Sequence, residues 1–190
     1  MATPAATIGS PQYDKTLLKS VGEDVFVSAN VEFRRPQLIS VGSHTAIDSN
    51  VYITTGAEIG DYVHISPFSS IIGGAAGMLY MDHFSGMAAG CRIICASDEH
   101  MGFGLTNPTV PLAYRDNVTI APVRFEKFAT IGSNVVIMPG VILGEGCVVG
   151  ANSLVNKNLE PWTIYVGSPA RPLKIRPRER MLAFAAEMGY

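Results

Sequence analysis

Four histidines, His44, His64, His83 and His100, bound the proton chemistry open to this chain, because an imidazole neutral near pH 7 can take a proton from an attacking group. His100 sits in CASDEHMG, after the carboxylates Asp98 and Glu99 and directly before a stretch that no regular strand can hold. His64, in DYVHISP, is the second candidate. His44 falls in an early repeat and suits a surface or corner role, and His83, in YMDHFSG, falls where the repeat is degraded. A catalytic zinc centre needs three imidazoles converging on one ion with a position left open, and no two of these histidines are close in the chain. Cys91, Cys95 and Cys147 make an odd count, without paired spacing and without a Cys–His spacing that would activate a thiolate. They read as buried thiols. The densest basic segment, Arg171, Lys174, Arg176, Arg178 and Arg180, offers the charge-assisted donors that phosphate groups require.

The elements that must hold these groups are written in a period of six. Val41, Ile47, Ile53, Ile59, Ile65 and Ile71 form one series, and Phe125, Ile131, Ile137, Leu143, Val149 and Val155 form another. Four residues after each stands a small or β-branched residue: Thr45, Val51, Ala57, Val63, Ser69 and Ala75, then Ala129, Val135, Val141, Cys147, Ser153 and Leu159. Six fits neither the 3.6 of a helix nor the alternation of an ordinary sheet, but it suits a solenoid of very short strands and tight corners. The chain reads as a parallel β-helix, all-β in class, in which each coil hides its apolar row against the next. An earlier set, Val21, Val27 and Phe33, has the same spacing and is read as a first coil with a bulge at Arg35-Pro36.

Between Ile71 and Phe125 the pattern weakens, and over 101–117 (MGFGLTNPTVPLAYRDN) it is lost. Two prolines and two glycines exclude a ladder there, and Phe103, Leu105, Tyr114 and Arg115 are too apolar and mixed for a linker, so the loop is expected to line a cleft. After Val155 the chain leaves through Pro161-Trp162 and Gly167-Ser168-Pro169-Ala170, and Met181, Leu182, Phe184, Ala185 and Met188 recur at helical spacing behind Pro177. A short C-terminal helix is expected to cap the open end of the stack, and Tyr13 to Ser20 to cap the other. The organisation is one domain over 1–190: a cap over 1–20, the solenoid over 21–160 with its loop at 101–117, and a basic segment with a helix over 161–190. A net charge of −2 without a polybasic tract argues against nucleic acid, and no apolar run reaches the roughly 18 residues of a membrane span. The N-terminus, Met1 to Ser10, has no leader pattern, which places the expected location in the cytoplasm.

The run IGSNVVIMPGVILGEGCVVGANSLVNKNLEPWTIYVGSPARPLKIR, residues 131–176, closely resembles the hexapeptide-repeat acyltransferases, which include galactoside, maltose, serine and nucleotide-sugar acetyltransferases. The resemblance implies a left-handed parallel β-helix, assembled as a homotrimer, with acetyl-CoA bound between neighbouring subunits as co-substrate and no metal. It places backbone groups of Ser133 and Ala151, one coil apart, on the pantetheine arm, and Asn156 and Lys157 near the nucleotide end. Arg171 and Lys174 match basic residues that meet the phosphates. Many sugar acetyltransferases of this family carry a catalytic His in the coil before such a loop, which points to His100. Shifted by a residue or two, the same comparison puts Asp98 in that slot, and His64 is the runner-up, on one face with His100 and two coils away.

The mechanism implied is direct attack of an amine or hydroxyl on the thioester, with His100 as base and Asp98 or Glu99 orienting its ring. The combination ASDEH, LTNPTVP and PWTIYVGSPAR resembles transferases of polysaccharide and O-antigen building blocks, so the acceptor is expected to be a sugar or nucleotide-linked sugar. Two other readings stand beside it: a zinc-dependent carbonic-anhydrase-like β-helix, and a solenoid that binds without catalysis.

Overall fold

A bulky side chain at every sixth position can be hidden only if the chain turns a corner between successive ones and lays each coil on the last. The computed structural model, which describes residues 10–190, has this arrangement. The first coil is β1 (Ser20–Val21), β2 (Phe26–Val27) and β3 (Glu32–Phe33), and the second is β4 (Ile39–Val41), β5 (Ala46–Ile47) and β6 (Tyr52–Ile53). The third is β7 (Gly56–Ile59), β8 (His64–Ile65) and β9 (Ser70–Ile72), and the fourth is β10 (Met78–Met81), β11 (Gly86–Met87) and β12 (Arg92–Ile94). An excursion bearing β13 (Ala96–Ser97) and β14 (Thr119–Ile120) follows. The fifth coil is β15 (Val123–Phe125), β16 (Thr130–Ile131) and β17 (Val136–Ile137), and the sixth is β18 (Ile142–Leu143), β19 (Val148–Val149) and β20 (Leu154–Val155). Then come β21 (Thr163–Val166), β22 (Arg171–Ile175) and α1 (Glu179–Glu187).

Corresponding strands pair in parallel from coil to coil and make three faces. The first face holds β1, β4, β7, β10, β15 and β18; the second β2, β5, β8, β11, β16, β19, β21 and β22; the third β3, β6, β9, β12, β17 and β20. The fold is a left-handed parallel β-helix with one short helix. Registers align the inward rows Val41, Ile59, Met81, Phe125 and Leu143; Ile47, Ile65, Met87, Ile131, Val149 and Tyr165; and Phe33, Ile53, Ile71, Ile93, Ile137 and Val155. All are buried. Truncating one of them, as in Ile65→Ala, is expected to cost about 2–5 kcal/mol.

Three expectations change. The repeat is not degraded between Ile71 and Phe125, because Met81, Met87 and Ile93 fill the inward slots of the fourth coil; Met packs there as an aliphatic residue does, and an insertion around Gly73 to Gly77 shifts the phase. Ala75 lies exposed in that insertion, not at a buried corner. The C-terminal helix does not cap the open end: it lies along the flank, where Ala185 packs with Phe128 and Trp162 and, at the margin, Phe84, Met181 and Tyr190. The first coil forms as expected, with a 3-10 turn over Pro36–Leu38 behind Arg35. At the N-terminal end a 3-10 turn over Lys15–Leu17 replaces the expected helix, and the rest of the expected cap, 1–9, lies outside the described residues.

That flank is the corner between the first and second faces, where the third corner residue of successive coils has positive φ: Asp24, His44, Tyr62, Phe84, Phe128, Gly146 and Trp162. Bulky residues are strained there, and stacking accounts for their presence. His44 stacks on Tyr62, Tyr62 on Phe84 and Phe84 on Phe128, at 4.7, 5.0 and 5.3 Å between centroids. Gly146 is required because a Cβ would enter the Trp162 ring. The chain ends on this ladder, where the Tyr190 hydroxyl donates to Asp61 Oδ2 at 2.7 Å.

Burial alone would raise the Asp61 carboxyl, but the Tyr190 hydroxyl, the Ser43 N–H and the neighbouring imidazoles hold it below its ordinary value, while the bond to Asp61 pushes the Tyr190 hydroxyl up to about 12. A depressed carboxyl stabilises the fold above its unfolded pKa of about 4 and loses that contribution as pH falls. Tyr190→Phe is therefore expected to lower the melting temperature by roughly 2–4 °C at pH 7, with the gap to wild type narrowing below about pH 4 in thermal melts.

Candidate functional site

The excursion leaves the solenoid at the corner between the third and first faces. β13 pairs antiparallel with β14, Ala96 opposite Ile120 and Ser97 opposite Thr119, so residues 98–118 hang from a two-strand neck. The stack closes over the gap, with β10 pairing directly with β15. Just past the neck, Arg115 Nη2 donates to Asp98 Oδ1 at 2.7 Å, tying the far end of the loop to its beginning. Among the described residues Arg115 is the one side-chain partner of that carboxylate. Glu99 is buried, its carboxylate accepting the Met101 N–H and its carbonyl accepting Thr106 Oγ1. Met101, Phe103, Leu105, Leu112 and Tyr114 remain exposed.

His100 is exposed at this mouth, and its ring is held by neither Asp98 nor Glu99, whose carboxylates are engaged elsewhere. His64 lies on β8 of the second face, 58% exposed in its side chain, with Nε2 at 2.8 Å from Asp48 Oδ2. The two histidines do not share a face, because the insertion before β10 and the neck carry residue 100 past the third face. His83 Nδ1 accepts the Asp61 N–H at 2.9 Å and packs on Tyr190, and His44 lies 3.3 Å from Asp24; both belong to the corner ladder.

Of the residues expected at the cofactor, Ser133 and Ala151 occupy one corner, between the second and third faces, in successive coils, with Asn152 N–H donating to the Ser133 carbonyl at 2.9 Å. Arg171 opens β22 opposite Val166, whose side chain lies over Gly150, so it adjoins the same corner. Lys174 lies farther along β22, opposite Ile164. Asn156 and Lys157 are exposed just after β20, across the third face. The basic segment is thus ordered, with Arg171 and Lys174 on β22, Arg176 just after it, Arg178 at the N-cap of α1 and Arg180 within it, and the turn before β22 is anchored by Leu154 N–H to the Gly167 carbonyl and Ala170 N–H to the Leu154 carbonyl, at 3.1 and 2.8 Å. All three cysteines are buried; burial raises the Cys91 thiol and pushes Cys95 to about 11 and Cys147 to about 12, so none is a nucleophile near neutrality.

Two partners escaped the sequence reading. Asp48 stands 16 positions before His64, close to the roughly 18 of one coil, a spacing that could have drawn attention to it. Arg115 lies in an aperiodic stretch and gave no signal. Among the described residues no three His, Cys, Asp or Glu side chains are placed to hold a metal ion, and no helix is long and apolar enough to cross a membrane.

Residues 122–157 match the family model of the bacterial transferase hexapeptide (six repeats). The chain is 34% identical over 164 residues to the dTDP-4-amino-4,6-dideoxy-D-glucose acyltransferase of Escherichia coli, covering 85% of this chain and 84% of that protein. Its structure is similar to that of AntD, an N-acyltransferase from Bacillus cereus in complex with dTDP and 3-hydroxybutyryl-CoA, with a TM-score of 0.88 and 32% identity over 95% of this chain and all (100%) of the other. A hexapeptide-repeat acetyltransferase of Vibrio cholerae, complexed with acetyl coenzyme A, gives 0.56 and 27% identity over 86% and 74%.

The Asp98–Arg115 pair is the brace of the excursion. Arg115→Ala is expected to expose 99–118 to limited proteolysis and to raise amide exchange there, with the melting of the solenoid little changed; protection equal to wild type would show that the neck alone holds the loop.

Proposed function

Because the chain belongs to the hexapeptide-repeat acyltransferase family, we propose that it moves an acetyl group from acetyl-CoA to the amine of a sugar carried on a nucleoside diphosphate. The observation that carries this reading is the full-length likeness to an N-acyltransferase bound to both dTDP and an acyl-CoA. Ser133, Ala151, Asn156, Lys157 and Arg171, which border the third face on the last coils, and Lys174, farther along β22 on the second face, are our candidates for holding the CoA. Backbone groups at the corner suit an amide arm, and the basic strand suits phosphates.

In this reading the neutral amine attacks the thioester carbonyl, the carbonyl oxygen takes the negative charge, and the nitrogen becomes cationic and strongly acidic as the C–N bond forms. A carboxylate is basic enough to remove that proton, whereas a hydroxyl acceptor would call for an imidazole. The C–S bond then breaks, and CoA leaves and takes up a proton as its thiol. The anchored carboxylate of Asp98 suits the amine, with Arg115 fixing one oxygen and the other left for the substrate. His100, exposed at the same mouth, is the second reading and goes with a hydroxyl acceptor. Three copies would cover the apolar residues of the excursion and supply the walls of the CoA cleft. The same reading places the enzyme in the cytoplasm, with both of its water-soluble substrates.

With dTDP-4-amino-4,6-dideoxyglucose and acetyl-CoA, followed by thiol release, Asp98→Asn is expected to lower kcat by ~100-fold to 10,000-fold with CoA affinity intact, and His100→Ala by less than ~10-fold. The reverse ranking would move the proton to His100, and full activity in both variants would remove the base from this mouth.

A further inference from the structure

The corner between the second and third faces has its own row of positive-φ residues: Asn50, Phe68, Gly90, Asn134 and Asn152. Asn and Gly tolerate that conformation; Phe does not. On the opposite corner the strained aromatics stack on one another under the helix, but Phe68, at φ +62°, is 62% exposed and has no ring neighbour among the described residues. It is strained and wet at once, and nothing in the packing of this chain accounts for it. One coil further on, the Arg92 guanidinium is fixed by a single nitrogen, Nη1, which donates to the carbonyls of Phe68, Gly90 and Cys91 at 2.9, 2.7 and 3.0 Å. Among the described residues its Nε and Nη2 have no partner and no carboxylate lies in ion-pair range. A preset guanidinium edge beside an open aromatic face has the chemistry of a nucleotide site: the edge for phosphate oxygens, the ring for a base.

We propose that Phe68 and Arg92 form the binding site for the nucleoside diphosphate of the acceptor, the base stacking on Phe68 and the diphosphate meeting the free edge of Arg92. The assignment rests on the nucleotide-sugar reading above. Position selects the acceptor over the nucleotide of CoA, because the CoA candidates lie on the fifth and later coils while Phe68 and Arg92 lie on the third and fourth. Arg92 also begins β12, the strand that leads to the neck, and Asp98 follows six residues later. That is at most about 20 Å of extended chain, a span over which a sugar on the far side of a diphosphate can reach the carboxylate.

The test is calorimetric titration of full-length protein with dTDP, UDP and CoA, each alone. Arg92→Gln and Phe68→Gly, the latter suited to the backbone conformation it inherits, are each expected to weaken nucleoside diphosphate binding at least ~10-fold while leaving CoA affinity within about twofold. Unchanged dTDP and UDP affinity in both variants, with wild type binding one of them, would overturn the site alone. Loss of CoA affinity instead would assign the corner to the cofactor, and a change of oligomeric state by light scattering with nucleotide affinity intact would make Phe68 a subunit contact; either overturns the proposal. Wild type that binds CoA but neither diphosphate would overturn the nucleotide-sugar reading, and this site with it.

Discussion

Everything in this molecule depends on the stacking of inward side chains in register from one coil to the next. No coil is stable by itself, since its three strands of two to four residues have nothing to hide their side chains against. Stacked, each coil supplies its neighbour with both a ladder of backbone hydrogen bonds and a floor of Ile, Val, Leu, Met or Phe. Each coil must also turn three corners, and the geometry that lets it do so places residues in the left-handed region at two of them in nearly every coil and, among the described residues outside the excursion, at the third only at Gly74 and Gly140. The two corners meet that demand differently. One uses mostly Asn and Gly, the other a column of aromatic rings.

The column explains why the C-terminal helix packs where it does. Rings held at positive φ need lateral support, and α1 and Tyr190 provide it, reaching back to Asp61 on the third coil. Arg176 reinforces the same seam by donating to the carbonyls of Phe128 and Gly146. The C-terminal segment thus serves two corners at once: β22 extends the second face beside the cofactor candidates, and α1 covers the ladder. The anchored turn before β22 and the helix after it hold the backbone of this edge strand at both ends, while its residues stay exposed.

The excursion shows how a solenoid gains a long loop without losing its core. The antiparallel neck lets the chain leave after the fourth coil and return to start the fifth, while β10 and β15 pair as though nothing intervened. The base of the proposed reaction is thereby carried to a place the regular repeat cannot reach. The loop brings a carboxylate and its arginine to the edge of the third face, and the third face connects them to the corner that holds Phe68, Ser133 and Ala151.

The period of six determined the inward rows, the corner residues and the existence of a β-helix, because those properties are local and recur in every coil. It missed the fourth coil where Met81 and Met87 replace aliphatic residues, since unbranched side chains fill the same slots without the same signature. Pairings across coils were less legible. His64 with Asp48 and His44 with Tyr62 have spacings near one coil, but the ladder's steps from Tyr62 to Phe84 and from Phe84 to Phe128 cross insertions that break the spacing, and the bond from Tyr190 to Asp61 depends on where α1 packs. The pairing of Arg115 with Asp98, the place of α1 on the flank and the separation of His64 from His100 were decided only by the tertiary structure, because residues far apart in an aperiodic stretch meet where the stacked coils put them.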